Sequence, residues 1–182
     1  PEFSFSTNEG FSVSAWVKSS LNKAGEYFID FDDEEGRRFT VYKHWAGTEG
    51  VQFSLGGSCA AVLSDYSILS GQWFYITGVL DIINNQTHLY INGDYITSTG
   101  CGGINNFHME GGSSKLNIGA THNLYSSQFT EGNISSAEIW QRVLSQEEIQ
   151  SYMTVSPTGN ESGLVGYWNF NEGSGTTVID QT

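Results

Sequence analysis

Residues 71–99, GQWFYITGVLDIINNQTHLYINGDYITST, contain three stretches in which apolar and polar residues alternate. Asn92-Gly93 separates the second stretch from the third, and this dipeptide tolerates positive φ at both central positions of a type I′ turn. Asn84-Asn85 separates the first stretch from the second and marks a turn less sharply, because Asn only partly tolerates the left-handed region. The segment therefore predicts three consecutive antiparallel strands joined by tight turns.

The same alternation continues on both sides of this segment. In FSVSAWVKS (residues 11–19) the apolar residues at 11, 13, 15 and 17 share one face, which is the period of a strand. Further candidate strands are EYFIDFD, RRFTVYKH, GVQFSL, CAAVL, KLNIGA, ISSAEIW and GLVGYWNF. About a dozen strands are too many for one flat sheet, so the sequence predicts an all-β fold of two stacked antiparallel sheets.

Composition limits the class of protein further. The 182 residues suffice for one sizeable core, so we expect a single domain spanning residues 1–182. The chain starts at Pro1, which suggests a piece excised from a larger protein. Seven basic against 20 acidic residues give a net charge of −13, which argues against a nucleic-acid partner and favours cations and an extracellular location. No apolar run approaches the roughly 18 residues of a membrane-spanning helix, so membrane insertion is not expected.

One short surface helix is predicted in LSQEEIQSYM (residues 144–153). Ser145 can cap the free amides at its start, while the Glu148 side chain reaches back to the amide of the cap, as in a capping box. Leu144 and Ile149 can then form a hydrophobic staple across the first turn.

The order of these motifs is similar to that of a known family. FSVSAWVKS, GQWFYITGVLD, THLYINGDYI, LNIGA, ISSAEIWQRVLSQEEI and GLVGYWNF together resemble the laminin-G-like and pentraxin-like group of the concanavalin A-like lectin/glucanase superfamily. The resemblance implies a jelly-roll sandwich of two curved antiparallel sheets. It also implies a secreted or cell-surface module that binds a glycan or glycoprotein, often with calcium at one rim, beside other domains of the same polypeptide.

The resemblance implies a calcium (Ca²⁺) site between two loops. The proposed ligands are an acidic hairpin and two amides of the loop GATHNLYSSQFTEG, namely Asp32, Asp33, Glu34, Asn123 and Gln128. Amide and carboxylate oxygens are the hard ligands that calcium prefers. The alternative is a solvated hairpin tip in which Gly36 takes a left-handed position and Arg37 and Arg38 offset the charge.

Exposed aromatic residues are the best candidates for contact with a sugar, because flat rings stack on the C–H faces of pyranoses. Trp45 and Tyr125 lie in predicted loops and could form such a platform with His44, His122 and Asn123. The alternative is that Trp45 packs over the edge of a sheet. The remaining tryptophans fall in predicted strands and are expected in the core or between the sheets: Trp16, Trp73, Trp140 and Trp168.

Two cysteines, Cys59 and Cys101, could form a disulfide in an oxidising compartment. The alternative is a pair of buried thiols.

Catalysis is the least favoured hypothesis. Asp30, Asp32 and Glu34 occupy alternate positions of the sequence. The nucleophile and the acid/base of a retaining glycoside hydrolase also occupy alternate positions of one strand. However, the hydrolase motif begins and ends with Glu in the middle of a cleft strand, whereas this run starts with Asp and ends at a turn glycine. Polysaccharide lyases of this fold need basic constellations that seven scattered basic residues do not supply. We therefore expect no enzyme and no catalytic residues.

The first hypothesis is a carbohydrate-binding lectin module, and the alternative is a structural or cell-adhesion module that contacts proteins.

Overall fold

A computed structural model describes all residues except 1–4, 20–24, 33–37, 44–49, 57–58, 64–70, 103, 105–106, 110–114 and 122–127. Within the described residues it contains thirteen strands and one helix. The elements are β1 (Phe5–Thr7), β2 (Gly10–Ser19), β3 (Tyr27–Asp32), β4 (Arg38–Lys43), β5 (Val51–Leu55), β6 (Cys59–Leu63), β7 (Phe74–Asp81), β8 (Gln86–Ile91), β9 (Asp94–Gly100), β10 (Phe107–Met109), β11 (Lys115–Ile118), β12 (Gly132–Trp140), α1 (Gln146–Thr154) and β13 (Leu164–Trp168).

These strands form the two stacked antiparallel sheets that the alternation predicts. One sheet has the order β11-β3-β4-β5-β6, the other has the order β13-β12-β2-β7-β8-β9, and β1 and β10 form a separate pair. Each described pairing is antiparallel. The predicted jelly-roll sandwich is confirmed, while the short strands β1 and β10 were not predicted.

The consecutive strands β7, β8 and β9 form the meander expected from residues 71–99. Asn92 and Gly93 have φ values of 51° and 78°, as a type I′ turn requires. Asn92 also accepts a hydrogen bond from the Tyr75 amide through Oδ1 at 2.9 Å. At the other turn Asn85 has a φ of 52° and its amide donates to the Ile82 carbonyl.

The core lies between the two sheets and is built from the apolar faces of their strands. Strand β2 contributes Phe11, Val13, Ala15 and Val17, all fully buried, as its alternation predicts. Gly78 of β7 lies against the Phe53 ring, and a Cβ atom there would fall 2.3 Å from the ring. A residue without a side chain is therefore needed where the two sheets approach most closely.

A second apolar cluster lies on the opposite, outer face of the six-stranded sheet, under α1. It comprises Tyr75, Val79, Trp140, Leu144, Ile149, Leu164 and Tyr167. Helix α1 starts with the predicted capping box, in which Ser145 accepts from the Glu148 amide and Glu148 accepts from the Ser145 amide. Leu144 and Ile149 both lie in this buried cluster, in agreement with the predicted staple.

The tryptophans correct one prediction. Trp140 is fully buried beneath α1, and Trp168 packs against the core between the sheets. Trp73, by contrast, is 43% exposed at the start of β7, and Trp16 lies half-buried on the outer face against Tyr75. The two misplaced side chains fall outside the inter-sheet core because Trp73 precedes its strand and Trp16 belongs to the polar face of β2.

The predicted disulfide between Cys59 and Cys101 is present, with a Cα–Cα distance of 5.2 Å. Cys59 starts β6 at the edge of the five-stranded sheet, and Cys101 follows β9 at the edge of the six-stranded sheet. The bond therefore joins the two sheets at one side of the sandwich. Among the described residues, no helix has the length and apolar character needed to cross a membrane.

Candidate functional site

Three charged side chains lie on the outer face of the five-stranded sheet, where β3 and β4 pair. Phe31 and Phe39 point into the core, so their neighbours Asp30, Asp32 and Arg38 point outward. Arg38 Nε donates to Asp30 Oδ1 at 2.9 Å, and the Asp30 side chain is fully buried. Asp30 is therefore held in an ion pair across the two strands.

Two tyrosines lie beside this ion pair. The rings of Tyr27 and Tyr42 are stacked, with centroids 4.8 Å apart and an interplanar angle of 8°. The Arg38 guanidinium lies 5.6 Å from the Tyr27 ring centroid, within cation–π range. The Tyr42 hydroxyl donates to Gln52 Oε1 at 3.0 Å. Aromatic rings, a guanidinium and an amide therefore occupy neighbouring positions on one face.

The charge of Arg38 is maintained despite its partial burial. Burial lowers the pKa of the guanidinium, but the hydrogen bond and the negative charge of Asp30 raise it, and the net direction is upward. A permanently charged, planar donor group is thus fixed at the centre of this face, with 28% of its side chain exposed.

Strand β11 adds one more polar group. Asn117 pairs with Asp30 in the β11–β3 register. Its Nδ2 atom is buried and has no hydrogen-bond partner in the described part of the protein. A buried amide nitrogen without a partner is a donor available to another group.

The proposed calcium ligands are only partly described. Asp32 is half-buried, and its register partners on the two neighbouring strands are Lys115 and Arg38. Gln128 is half-buried, whereas Asp33, Glu34 and Asn123 fall outside the described residues. In the described ranges, no three His, Cys, Asp or Glu residues come together as a metal site. Since calcium takes six to eight oxygen ligands, Asp32 and Gln128 alone do not complete one.

The predicted sugar-binding residues also lie outside the described part of the chain. They are His44, Trp45, His122, Asn123 and Tyr125. Their assignment remains a prediction.

Sequence reasoning missed the tyrosine pair because of an irregularity in β3. The β3–β4 register shifts between Tyr27 and Ile29, so that Phe28 and Ile29 both face the core. A strict period of two would place Tyr27 in the core with Ile29 and Phe31. The bulge instead turns Tyr27 outward, beside Tyr42. No local residue pattern predicts this bulge.

A pentraxin is among the curated proteins that this chain is similar to. Human pentraxin-related protein PTX3 is 26% identical over 168 residues, which cover 87% of this chain and 42% of PTX3. The chain thus spans less than half the length of this curated relative.

Two solved structures share the fold at low sequence identity. A candidate carbohydrate binding protein from Bacteroides ovatus superposes with a TM-score of 0.76 and 15% identity, covering 98% of this chain and 54% of that one. The heptameric SAP-like pentraxin from Limulus polyphemus gives a TM-score of 0.69 at 14% identity, covering 99% and 86%.

A family model covers most of the chain. It matches residues 1–150 and carries the description concanavalin A-like lectin/glucanases superfamily, of laminin G type. With the two-sheet sandwich, the capped helix and the pentraxin relative in agreement, the chain belongs to the laminin-G-type branch of the concanavalin A-like lectin/glucanase superfamily.

Proposed function

We propose that the protein is a non-catalytic extracellular module that recognises carbohydrate at the outer face of the five-stranded sheet. The observation that carries this proposal is the partly exposed pair Tyr42 and Arg38, which the buried Tyr27 ring and the buried Asp30 carboxylate hold in place. Sugars are bound by aromatic faces together with charged and amide groups that exchange hydrogen bonds with hydroxyls. The likeness to a Bacteroides ovatus candidate carbohydrate binding protein supports this assignment.

The predicted loop residues would complete the proposed site. Trp45 and Tyr125 would provide a stacking platform, with His44, His122 and Asn123 as hydrogen-bonding neighbours. A side chain that stacks on a sugar ring contributes both buried apolar area and orientation.

A calcium ion is proposed at the rim of the same face. Asp32, Asp33, Glu34, Asn123 and Gln128 would hold it, because they offer the carboxylate and amide oxygens that calcium prefers. A bound calcium ion supplies positive charge to which sugar hydroxyls can coordinate. The described ligands Asp32 and Gln128 fit this role in type but not in number, so the remaining loop residues must supply the other oxygens.

A binding role agrees better with the site than a catalytic one. A nucleophilic carboxylate must reach the substrate, whereas the Asp30 carboxylate is buried and hydrogen-bonded to Arg38. Removing one partner of this pair would leave a buried, unpaired charge and lower the stability of the fold.

We further propose that residues 1–182 form one domain of a larger secreted or cell-surface protein. The Cys59–Cys101 disulfide is typical of oxidising compartments. The chain spans 42% of human PTX3 and 54% of the Bacteroides ovatus protein, as expected of a module that is joined to other domains. In such a protein the same face could instead contact a neighbouring protein, which is the alternative role in adhesion.

A glycan array probed in calcium and in excess chelator tests this proposal. We expect a restricted set of glycans to bind only in calcium, and we expect Trp45→Ala to lose this calcium-dependent binding. Tyr95→Ala is the matched control, since Tyr95 is an exposed aromatic residue on the other sheet and should leave array binding intact. If the array is blank and chelator leaves the melting temperature unchanged, both the glycan and the calcium assignments are wrong. A pull-down of a protein partner would then favour the adhesion role.

A further inference from the structure

Helix α1 covers only part of the outer face of the six-stranded sheet. At the other end, where β2, β12 and β13 lie side by side, the surface forms an open pocket of about 480 Å³. Ligand pockets in proteins span about 300–1,000 Å³, so a sugar-sized molecule fits this volume. The pocket lies on the opposite side of the sandwich from Tyr27, Tyr42 and Arg38.

Two tryptophans give the pocket flat apolar surfaces. Trp73 is 43% exposed, which is unusual for a side chain that contributes so much apolar area when buried. Trp16 is half-buried and is held by Tyr75, with ring centroids 5.4 Å apart. An exposed and a supported indole on one pocket wall are suited to stacking against the C–H face of a pyranose.

Polar groups that are already oriented line the rest of the pocket. Ser136 lines the pocket and is only 7% exposed. Its hydroxyl donates a hydrogen bond to Glu138 Oε1 at 3.0 Å. Because its proton is committed to Glu138, the Ser136 oxygen is available as an acceptor. Tyr167 is 5% exposed and lines the pocket together with Ser156.

Two asparagines supply donors at the rim. Asn169 Oδ1 accepts a hydrogen bond from the backbone N–H of Asn171 at 3.2 Å. The side-chain nitrogen Nδ2 of Asn169 is then left as a donor in the pocket lining. The pocket thus combines acceptor and donor groups with aromatic faces, and this combination matches the alternating hydroxyls and C–H surfaces of a sugar.

The described lining of the pocket carries no charged side chain. It consists of tryptophan, serine, tyrosine and asparagine residues. The chain as a whole carries a net charge of −13, so an anionic ligand would be repelled and would find no cation in this lining. A cationic ligand would find no carboxylate there, since Glu138 lies buried behind Ser136.

We propose that this pocket is a second binding site, specific for a neutral saccharide, and independent of calcium and of the five-stranded face. Because the two sites lie on opposite outer faces, one copy of the protein could hold two glycan chains at the same time. Two sites on one body raise the avidity for a surface that displays both ligands.

Neutral disaccharides test this proposal directly. Maltose, cellobiose, lactose and mannobiose are titrated in chelator while intrinsic tryptophan fluorescence and isothermal heats are measured, with 3′-sialyllactose as the anionic counterpart of lactose. We expect at least one neutral disaccharide to saturate below about 10 mM. If that sugar is lactose, sialylation should weaken binding about tenfold or more.

Variants separate this pocket from other sites. Trp73→Ala should lower the affinity about tenfold or more, and Asn171→Ala should lower it severalfold. Tyr95→Ala is the matched control, since Tyr95 is equally exposed but lies on the edge strand β9, away from the pocket.

Three outcomes would overturn the proposal. They are no saturable binding of any neutral disaccharide, an affinity that Trp73→Ala does not change, and binding that chelator abolishes. Each can occur whether or not the glycan array detects a calcium-dependent ligand, so failure here is distinguishable from failure of the proposed function.

Discussion

Glu138 is a buried acid on the outer face of the six-stranded sheet. Its carboxylate accepts hydrogen bonds from the hydroxyls of Tyr75 and Ser136, and none of its described partners is a cation. Burial raises the pKa of Glu138 from 4.5 to about 7, although the hydrogen bonds from Tyr75 and Ser136 lower it. The raised pKa means that the folded protein holds a proton which the unfolded chain releases.

This proton gives the stability of the protein a predictable dependence on pH. Between pH 4.5 and about pH 7 the folded state binds more protons than the unfolded state, so the free energy of unfolding falls as the pH rises. The full effect is about 3 kcal/mol, since each pKa unit corresponds to about 1.4 kcal/mol. It is present below pH 4.5 and lost above pH 7.

We expect Glu138→Gln to remove this dependence. The amide cannot ionise, so the stability of the variant relative to the wild type should rise by about 3 kcal/mol between pH 4.5 and pH 7.5. Urea unfolding of both proteins across this range measures the difference and cancels the contributions of other carboxylates. A difference that stays constant with pH would mean that Glu138 ionises like an exposed glutamate.

At the scale of elements, helix α1 shows how a local motif positions a larger structure. The capping box at Ser145 and Glu148 fixes where the helix begins. Arg142 adds an ion pair to Glu148, with Nη1 and Oε1 2.7 Å apart. The start of the helix then places Ile149 over Trp140 and Leu144 in the outer apolar cluster.

We expect Ser145→Ala to lower the free energy of unfolding by about 1 kcal/mol, because the Glu148 amide loses its capping acceptor. Differential scanning calorimetry or urea unfolding measures the loss. Ser151→Ala, at an exposed position within the same helix, is the control and should be neutral or slightly stabilising, since alanine is the better helix former. Equal effects of the two substitutions would show that the cap does not determine the stability of α1.

At the scale of the whole molecule, one covalent bond links the two sheets. The Cys59–Cys101 disulfide closes a loop with a sequence separation of 42. A disulfide that closes a loop of this length lowers the conformational entropy of the unfolded chain. This raises the free energy of unfolding by about 4 kcal/mol. It acts at the edge where the five-stranded and six-stranded sheets meet, beside the last strands of both.

We expect reduction of this bond, or the double substitution Cys59→Ser and Cys101→Ser, to lower the melting temperature by about 10 °C. Calorimetry with and without a reductant measures the shift. The double variant should show no further shift when the reductant is added. A melting temperature insensitive to reductant in the wild type would mean that the bond does not stabilise the fold.

Features that depend on neighbouring residues could be predicted from the sequence alone. Alternation predicted the faces of strands such as β2, the Asn92-Gly93 dipeptide predicted the hairpin, and the Ser145–Glu148 spacing predicted the start of α1. Each follows from local backbone geometry and hydrogen bonding, which act over a few residues. The order of these motifs was enough to identify the sandwich and its superfamily.

Contacts between residues that are distant in sequence follow from tertiary packing and could not be predicted. The stacking of Tyr27 on Tyr42 depends on a bulge in β3. The pocket between Trp16 and Trp73 depends on how far α1 extends over the sheet. The acidity of Glu138 depends on burial beneath the same face. These properties arise from packing and solvent exclusion between segments far apart in sequence, and no local pattern encodes them.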